Sequence, residues 1–184
     1  MTSCCHIREA RPGDADALSS LYRQLIDDGS VNVLPEAISG LRSSPLGFLL
    51  VTEDENRIVG TALLAVCQDV MYGLQPFAVI ENFVVDHSCL RSGIGSLLMT
   101  EIEQITVEQD CSKILLSSSR ARLEAHQFFQ KHGFSDQAKV GFVKYRFQLT
   151  SRAEQGGADQ PATAPESNPE ANQNPRHESE VRPQ

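Results

Sequence analysis

The chain has 184 residues, 40% of them apolar and none of them Trp, so it holds enough material for one domain whose core aliphatic side chains must fill. A net charge of −8 argues against nucleic acid as a partner, because phosphate binding demands a basic face. No apolar run approaches the ~20 residues of a membrane span, and the N-terminus around Cys4, Cys5, His6 and Arg8 lacks the apolar stretch of a signal peptide. Five cysteines without a Cys-x-x-Cys pair or matched histidines fit reduced thiols better than disulfides or zinc. A cytoplasmic protein without a metal is the expectation.

Residues 6–9 read as a short first strand. Asp14 is a candidate N-cap, and Leu18, Leu21, Tyr22, Leu25 and Ile26 recur at helical spacing, which predicts a first helix ending at Gly29. A second, short helix is expected over residues 35–41, with Pro35 at its start. Apolar runs at 48–52 and 57–66, separated by Glu53, Asp54, Glu55 and Asn56, predict an antiparallel hairpin. Gly73 and Pro76 then break the chain ahead of a long strand over 77–85. A helix over 93–108, a strand over 113–117, a helix over 123–132 and a closing strand over 141–149 complete the pattern. Short turns join the strands of the first half, and the second half alternates strand and helix, so the fold class is a mixed α/β sheet flanked by helices. Residues 151–184 carry almost no large apolar side chain and are expected to form a disordered polar tail, leaving one domain over residues 1–150. Six of the twenty-four acids lie in that tail, so the remainder is only mildly acidic.

The segment that carries chemistry runs from Ile80 to Met99. The β-formers Phe83, Val84 and Val85 lead through Arg91, Ser92, Gly93, Ile94, Gly95 and Ser96 into an amphipathic helix. Free N–H groups of a first helical turn and the positive end of the helix dipole favour an anion there, and glycines let the backbone approach it. Such a turn alone also suits an ordinary strand-to-helix connection. A dinucleotide fingerprint needs a third glycine where Leu98 stands, and no Gly-Lys-Ser/Thr triplet of a phosphate-binding loop is present.

A second signature follows, Ala125-His126-Gln127-Phe128-Phe129, closing on Gly133-Phe134. Val-Val-Asp, then Arg-Ser-Gly-Ile-Gly, then Ala-x-x-Phe-Phe-x-x-x-Gly-Phe, in that order, resembles the GNAT superfamily of N-acetyltransferases, over roughly residues 6–148. The second half is most similar to small-amine members of the aminoalkylphosphonate or aminoglycoside type, and Lys144 would suit an anionic group on such an acceptor. The resemblance implies a mostly antiparallel sheet whose parallel fourth and fifth strands splay apart. It implies acetyl-CoA as cosubstrate and a small amine as acceptor, with neither nucleic acid nor membrane as partner; a homodimer is left open. Backbone groups of Phe83, Val84 and Val85 would hold the pantetheine arm, and Arg91, Ser92, Gly93, Ile94, Gly95 and Ser96 the pyrophosphate. Arg122, His126 and Phe129 would border the cofactor.

Two positions depart from the family's pattern. Leu90 stands where Gln or Arg is usual, which moves the cation to Arg91. Phe129 replaces the Tyr that commonly protonates the departing thiolate, so that role falls to water or to Tyr145, Ser118 or Ser119. Glu81, a carboxylate interrupting an apolar strand, is the candidate base, with a solvent-facing or ion-paired side chain as the plain alternative. Arg120 and Arg122 would meet either the CoA phosphates or an anionic acceptor. The alternative function is a non-catalytic acyl-CoA-binding module on a degenerate site.

Overall fold

The computed structural model describes residues 5–26 and 28–149; the expected tail over 151–184 and the boundary at Thr150 lie outside the described residues. Five strands form one sheet in the order β1-β2-β3-β4-β5. They are β1 (His6–Glu9), β2 (Gly47–Asp54), β3 (Arg57–Cys67), β4 (Phe77–Val85) and β5 (Ile114–Leu116). The first four pair antiparallel and β4 pairs parallel with β5. The mixed α/β class and the parallel fourth and fifth strands are as expected. Four helices accompany them, α1 (Ala15–Leu25), α2 (Pro35–Arg42), α3 (Ile94–Glu108) and α4 (Leu123–Lys131).

The hairpin between β2 and β3 turns on Glu55 and Asn56, both at positive φ (48° and 63°), the backbone hand that lets two antiparallel strands close without splaying. Because successive strand residues point to opposite faces, β2 feeds two cores at once. Leu50 packs with Leu64, Ile80, Leu98, Met99, Ile102 and Phe129 on the α3 and α4 side. Leu49 and Val51 pack with Leu18 and Ile38 on the α1 and α2 side. Each fully buried Leu, Ile or Met side chain contributes about 1.5–3 kcal/mol, so the aliphatic core expected from the composition suffices without Trp.

The first helix stops earlier than its periodicity predicts. Ile26 is extended at φ −134°, and Asp28 gathers the next turn, its carboxylate accepting from Ser30 N (2.8 Å) and its carbonyl from Val31 N (3.2 Å). Local side-chain bonding of this kind competes with helix continuation well before Gly29.

The expected closing strand does not form. The described residues beyond Gly141 belong to a second unit and hold a single 3-10 turn at Arg146–Gln148. The alternation of Val143, Tyr145, Phe147 and Leu149 suits a strand face, but a strand exists only where its backbone finds a ladder partner. Here the groups bond locally: Gln148 N to Tyr145 O (2.9 Å), Leu149 N to Arg146 O (3.0 Å) and Tyr145 N to the Gln148 side chain (2.8 Å).

One ion cluster ties β1 to the start of α1. Arg8 donates Nη1 and Nη2 to Asp14 (2.7 and 3.0 Å) and Nε to Glu53 (2.6 Å), with all three side chains less than one-fifth exposed. Asp14 therefore acts through its carboxylate toward Arg8 and the Arg11 N–H (2.7 Å), which helps close the turn before α1. The Arg8 hydrogen bond holds the Asp14 carboxyl below the usual range for Asp. A depressed folded-state value means the ionised form stabilises the protein above the unfolded pKa of about 3.9, and that this is lost as pH falls through the folded value. Asp14→Asn is expected to destabilise by about 1–3 kcal/mol at neutral pH. In urea titrations the gap to wild type should narrow progressively below about pH 4; a gap that stays constant would place the effect elsewhere.

Candidate acetyl-transfer site

The site originates where two strands part. Ala78, Val79 and Ile80 of β4 face Ile114, Leu115 and Leu116 of β5, and there the pairing ends. β4 runs on to Val85 with only β3 beside it. A register shift marks this stretch, Leu63 facing Glu81 while Thr61 faces Val84, and Asn82 sits at φ 55° inside it. The bulge re-aims the following side chains. Beside the split lie two cavities of about 860 and 160 Å³ that share Phe83, Arg122 and Phe129 as lining residues.

The larger cavity extends from the end of β4 over the glycine turn to the first turn of α4. Gly93 caps α3 at φ 92°, a left-handed conformation that glycine adopts without penalty, and no atom lies within 4 Å of where its Cβ would be. The N–H groups of Ile94, Gly95 and Ser96 have no hydrogen-bond partner among the described residues. Three donors and a helix dipole therefore face an open space. Side chains brace this turn from below. Ile94 is buried against Gly60, where an added Cβ would come within 3.2 Å of it. A Cβ on Gly95 would press on Phe128 at the same distance, so a side chain at either position would have to push its neighbour aside.

The chain ahead of the turn is fixed by Asp86. It accepts from Ser88 N (2.8 Å) and Ser88 Oγ (2.5 Å), while Cys89 N bonds its carbonyl (2.9 Å). The Ser88 hydroxyl above all keeps the Asp86 carboxyl below its usual range. Gln24 of α1 reaches across, donating to Asp86 Oδ2 (3.3 Å) and accepting from His87 N (2.9 Å). The helix beside the smaller cavity and the loop beside the larger one are thus joined through one side chain. Sequence reading gave no hint of Gln24, a polar residue inside an amphipathic helix whose partner lies 62 residues away.

Of the residues singled out from the sequence, Phe83, Val84, Val85, Arg91, Gly93, Gly95, Ser96, Arg122 and Phe129 line the cavities. Ile94 contributes its N–H and turns its side chain to the core. Ser92 bonds Cys89 O (2.5 Å). His126 is not among the lining residues; its Nε2 donates to Ser119 O (2.9 Å) and closes the loop before α4. His132 hydrogen-bonds Ser96 Oγ (3.1 Å) and lies on the Phe128 ring, 4.6 Å between centroids. Glu81 is exposed on the smaller cavity, together with Leu25 and Ile26 from the end of α1 and Ser117, Ser118 and Ser119. Phe129 is 8% exposed and meets Phe83, Phe128 and Phe134 edge-on. Tyr145 belongs to the second compact unit. Arg91, at φ 61°, pairs with Glu124 of α4 (3.1 Å).

Residues 16–134 match the sequence profile of the Acetyltransferase (GNAT) family. The chain belongs to this family. Among curated GNAT relatives it is 26% identical over 149 residues to an aminoglycoside N(6')-acetyltransferase of Stenotrophomonas maltophilia, covering 80% of this chain and 95% of that protein. It is 35% identical over 78 residues to a glucosamine 6-phosphate N-acetyltransferase of Trypanosoma brucei brucei, covering 42% of this chain and 51% of the relative. The fold superposes on an aminoglycoside N-acetyltransferase solved in complex with CoA at a TM-score of 0.67 and 16% identity, covering 79% of this chain and 97% of that one. The protein is thus an acetyltransferase of the GNAT type. None of its described helices is long and apolar enough to cross a membrane, and no metal-binding group of side chains occurs among the described residues.

The Arg91–Glu124 pair sets the charge at the mouth of the larger cavity. Both side chains are about four-fifths exposed, so the pair is weak and easily exchanged. An incoming phosphate would compete with Glu124 for Arg91. Glu124→Gln is expected to tighten CoA binding about two- to fivefold at low salt, with the gain fading as ionic strength rises, measured by calorimetry. Unchanged affinity would mean that Arg91 does not meet the ligand.

Proposed function

We propose that the protein transfers the acetyl group of acetyl-CoA directly to a primary amine bound in the smaller cavity. The observation that carries this reading is the edge of β4 beyond Ile80, which continues into a helix turn, both without a backbone partner among the described residues. The open space at Gly93 suits a diphosphate, and the unpartnered strand edge beyond Ile80 suits the amides of a pantetheine arm. The CoA complex of the superposed acetyltransferase supports the same use of this fold.

The acceptor must present a neutral nitrogen, so a proton has to leave it. Glu81 is exposed on the wall of the smaller cavity and takes that proton directly or through water. A backbone N–H of residues 83–85 polarises the thioester carbonyl. Arg122 lines both cavities and serves the cofactor phosphates or an anionic acceptor. The relatives act on aminoglycosides and on glucosamine 6-phosphate by their names, which supports an amino sugar as the first acceptor class to try. A CoA-binding module without turnover is the second reading, favoured by the missing hydroxyl at Phe129.

Binding is tested by comparing Gly93→Glu with Gly93→Ala. Both strain the backbone at φ 92°, and only the first adds bulk and negative charge to the open cradle. Calorimetry should show CoA affinity lost in Gly93→Glu and reduced at most a few-fold in Gly93→Ala; equal affinities would move the site elsewhere.

Turnover is tested by thiol release from acetyl-CoA across a panel of amino sugars and small amines. At least one acceptor should raise release above background, and Glu81→Gln should lower its kcat/KM about 10²- to 10⁴-fold with CoA affinity unchanged. CoA binding with no active amine would favour the binding module.

A further inference from the structure

Two side-chain oxygens among the described residues are buried without a hydrogen-bond partner, Thr52 Oγ1 and Ser118 Oγ. Thr52 lies in the sheet interior beside Gly60 and lines neither of the two cavities described above. Ser118 differs, because its residue lines the smaller cavity, as Glu81 and Phe129 do. Buried hydroxyls are nearly always satisfied, so an orphan whose residue lines a reaction cavity has hydrogen-bonding capacity left for what enters there.

The register says where the gap beside this residue begins. Ala78 faces Ile114, Val79 faces Leu115 and Ile80 faces Leu116, and there the ladder ends. Beyond it, Glu81, Asn82 and Phe83 of β4 and Ser117, Ser118 and Ser119 after β5 line the smaller cavity together. Ser118 therefore shares that cavity with the base candidate and with Phe83 of the strand segment proposed for the pantetheine arm. In the reading above, amine and thioester meet there. No aromatic hydroxyl reaches this place from α4, because position 129 is Phe and its ring is held by Phe83, Phe128 and Phe134. A serine hydroxyl turns on one bond, so a single χ1 step swings it toward the cavity its residue lines.

We infer that Ser118 Oγ–H is the hydrogen-bond donor that stabilises the sulfur of CoA as the acetyl group leaves. The inference rests on the acetyl-CoA reading and adds a named residue to it. As the amine nitrogen forms its bond to the carbonyl carbon, the carbon–sulfur bond breaks and its electron pair stays on sulfur. Ser118 keeps its proton and shares it with that thiolate. The proton lost by the amine goes to Glu81 or water, and the thiolate later takes a proton from solvent. Donation suffices for this role, because a thiol is acidic enough to leave as the anion near neutral pH. A donor aimed at developing charge is the general form of such assistance.

Ser118→Ala is the direct test, and three readouts bear on it. Melting temperature should be unchanged or higher, since the variant removes an unsatisfied buried hydroxyl. The turnover number should fall about 10- to 10³-fold with CoA affinity within twofold of wild type. The thiol of bound CoA, titrated through the ultraviolet absorbance of its thiolate, should have a pKa about 0.5–1 unit higher in the variant than in wild type. Phe129→Tyr placed in the Ser118→Ala background should recover part of the rate. An unshifted thiol pKa together with wild-type turnover would overturn the inference and leave the acetyl-CoA reading intact. Absence of CoA binding by the wild-type protein would overturn both. Should Ser118→Ala prove unstable, Ser118→Thr, which keeps the hydroxyl, must retain the lowered thiol pKa, and its loss there would count against the inference.

Discussion

The structure depends on a parallel pairing that lasts three residues. β4 and β5 share a ladder at Ala78–Ile80 and Ile114–Leu116 and then part, and the two cavities of the proposed site lie beside the gap they leave. Had the pairing continued, the backbone groups of Glu81 to Val85 on that edge would be consumed by β5, and no groove would open. The separation is enforced from both sides. On β4 the bulge at Asn82 bends the strand, and on the β5 side the serines at 117–119 offer no large side chain to fill the gap. Aromatic packing then props the gap open, because Phe83 from the strand and Phe128 and Phe129 from α4 meet with centroids 5.4–5.7 Å apart.

Legibility in the sequence followed the range of the interaction involved. β4 matches its expected bounds, Phe77–Val85, and α3 starts one residue later than expected, because β-formers and helical spacing are local signals. The glycine at 93 was legible for the same reason, since its left-handed backbone is a local demand, whereas Gly95 answers to Phe128 of α4. Gly60 was not: its requirement comes from Ile94, which packs against it from across the sheet. Gln24 is a similar case, bonded to the far end of β4 with nothing in its neighbours to reveal it. The closing segment shows the opposite error. Its alternation is a strand's, but alternation records only which side chains share a face, and the backbone there found partners within its own turn.

Side-chain roles were harder to read than positions. His126 lies on α4 as predicted, yet its ring is committed to the carbonyl of Ser119 and so shapes the loop rather than lining the groove. Arg91 reaches the groove although shifted by one position from the family's usual cation, because its left-handed backbone turns the side chain toward α4 and Glu124. Such outcomes depend on where a few hydrogen bonds are made, and spacing carries no information about that.

Costly features recur along the groove. Asn82 and Arg91 hold positive φ without being glycine, and among the described residues three N–H groups at the start of α3 and the buried Ser118 hydroxyl lack partners. Each unfavourable backbone conformation costs on the order of 1 kcal/mol or more. A chain selected only to fold has no need of these features at the groove, and the two cores flanking the sheet show that it packs its apolar side chains well. Their presence together along one groove is what a site looks like when its polar groups are kept in waiting: donors aimed at an anion, a strand edge left open to an extended chain, and a hydroxyl held where charge will develop. Stability that the cores supply is what allows those groups to remain unsatisfied until a ligand meets them.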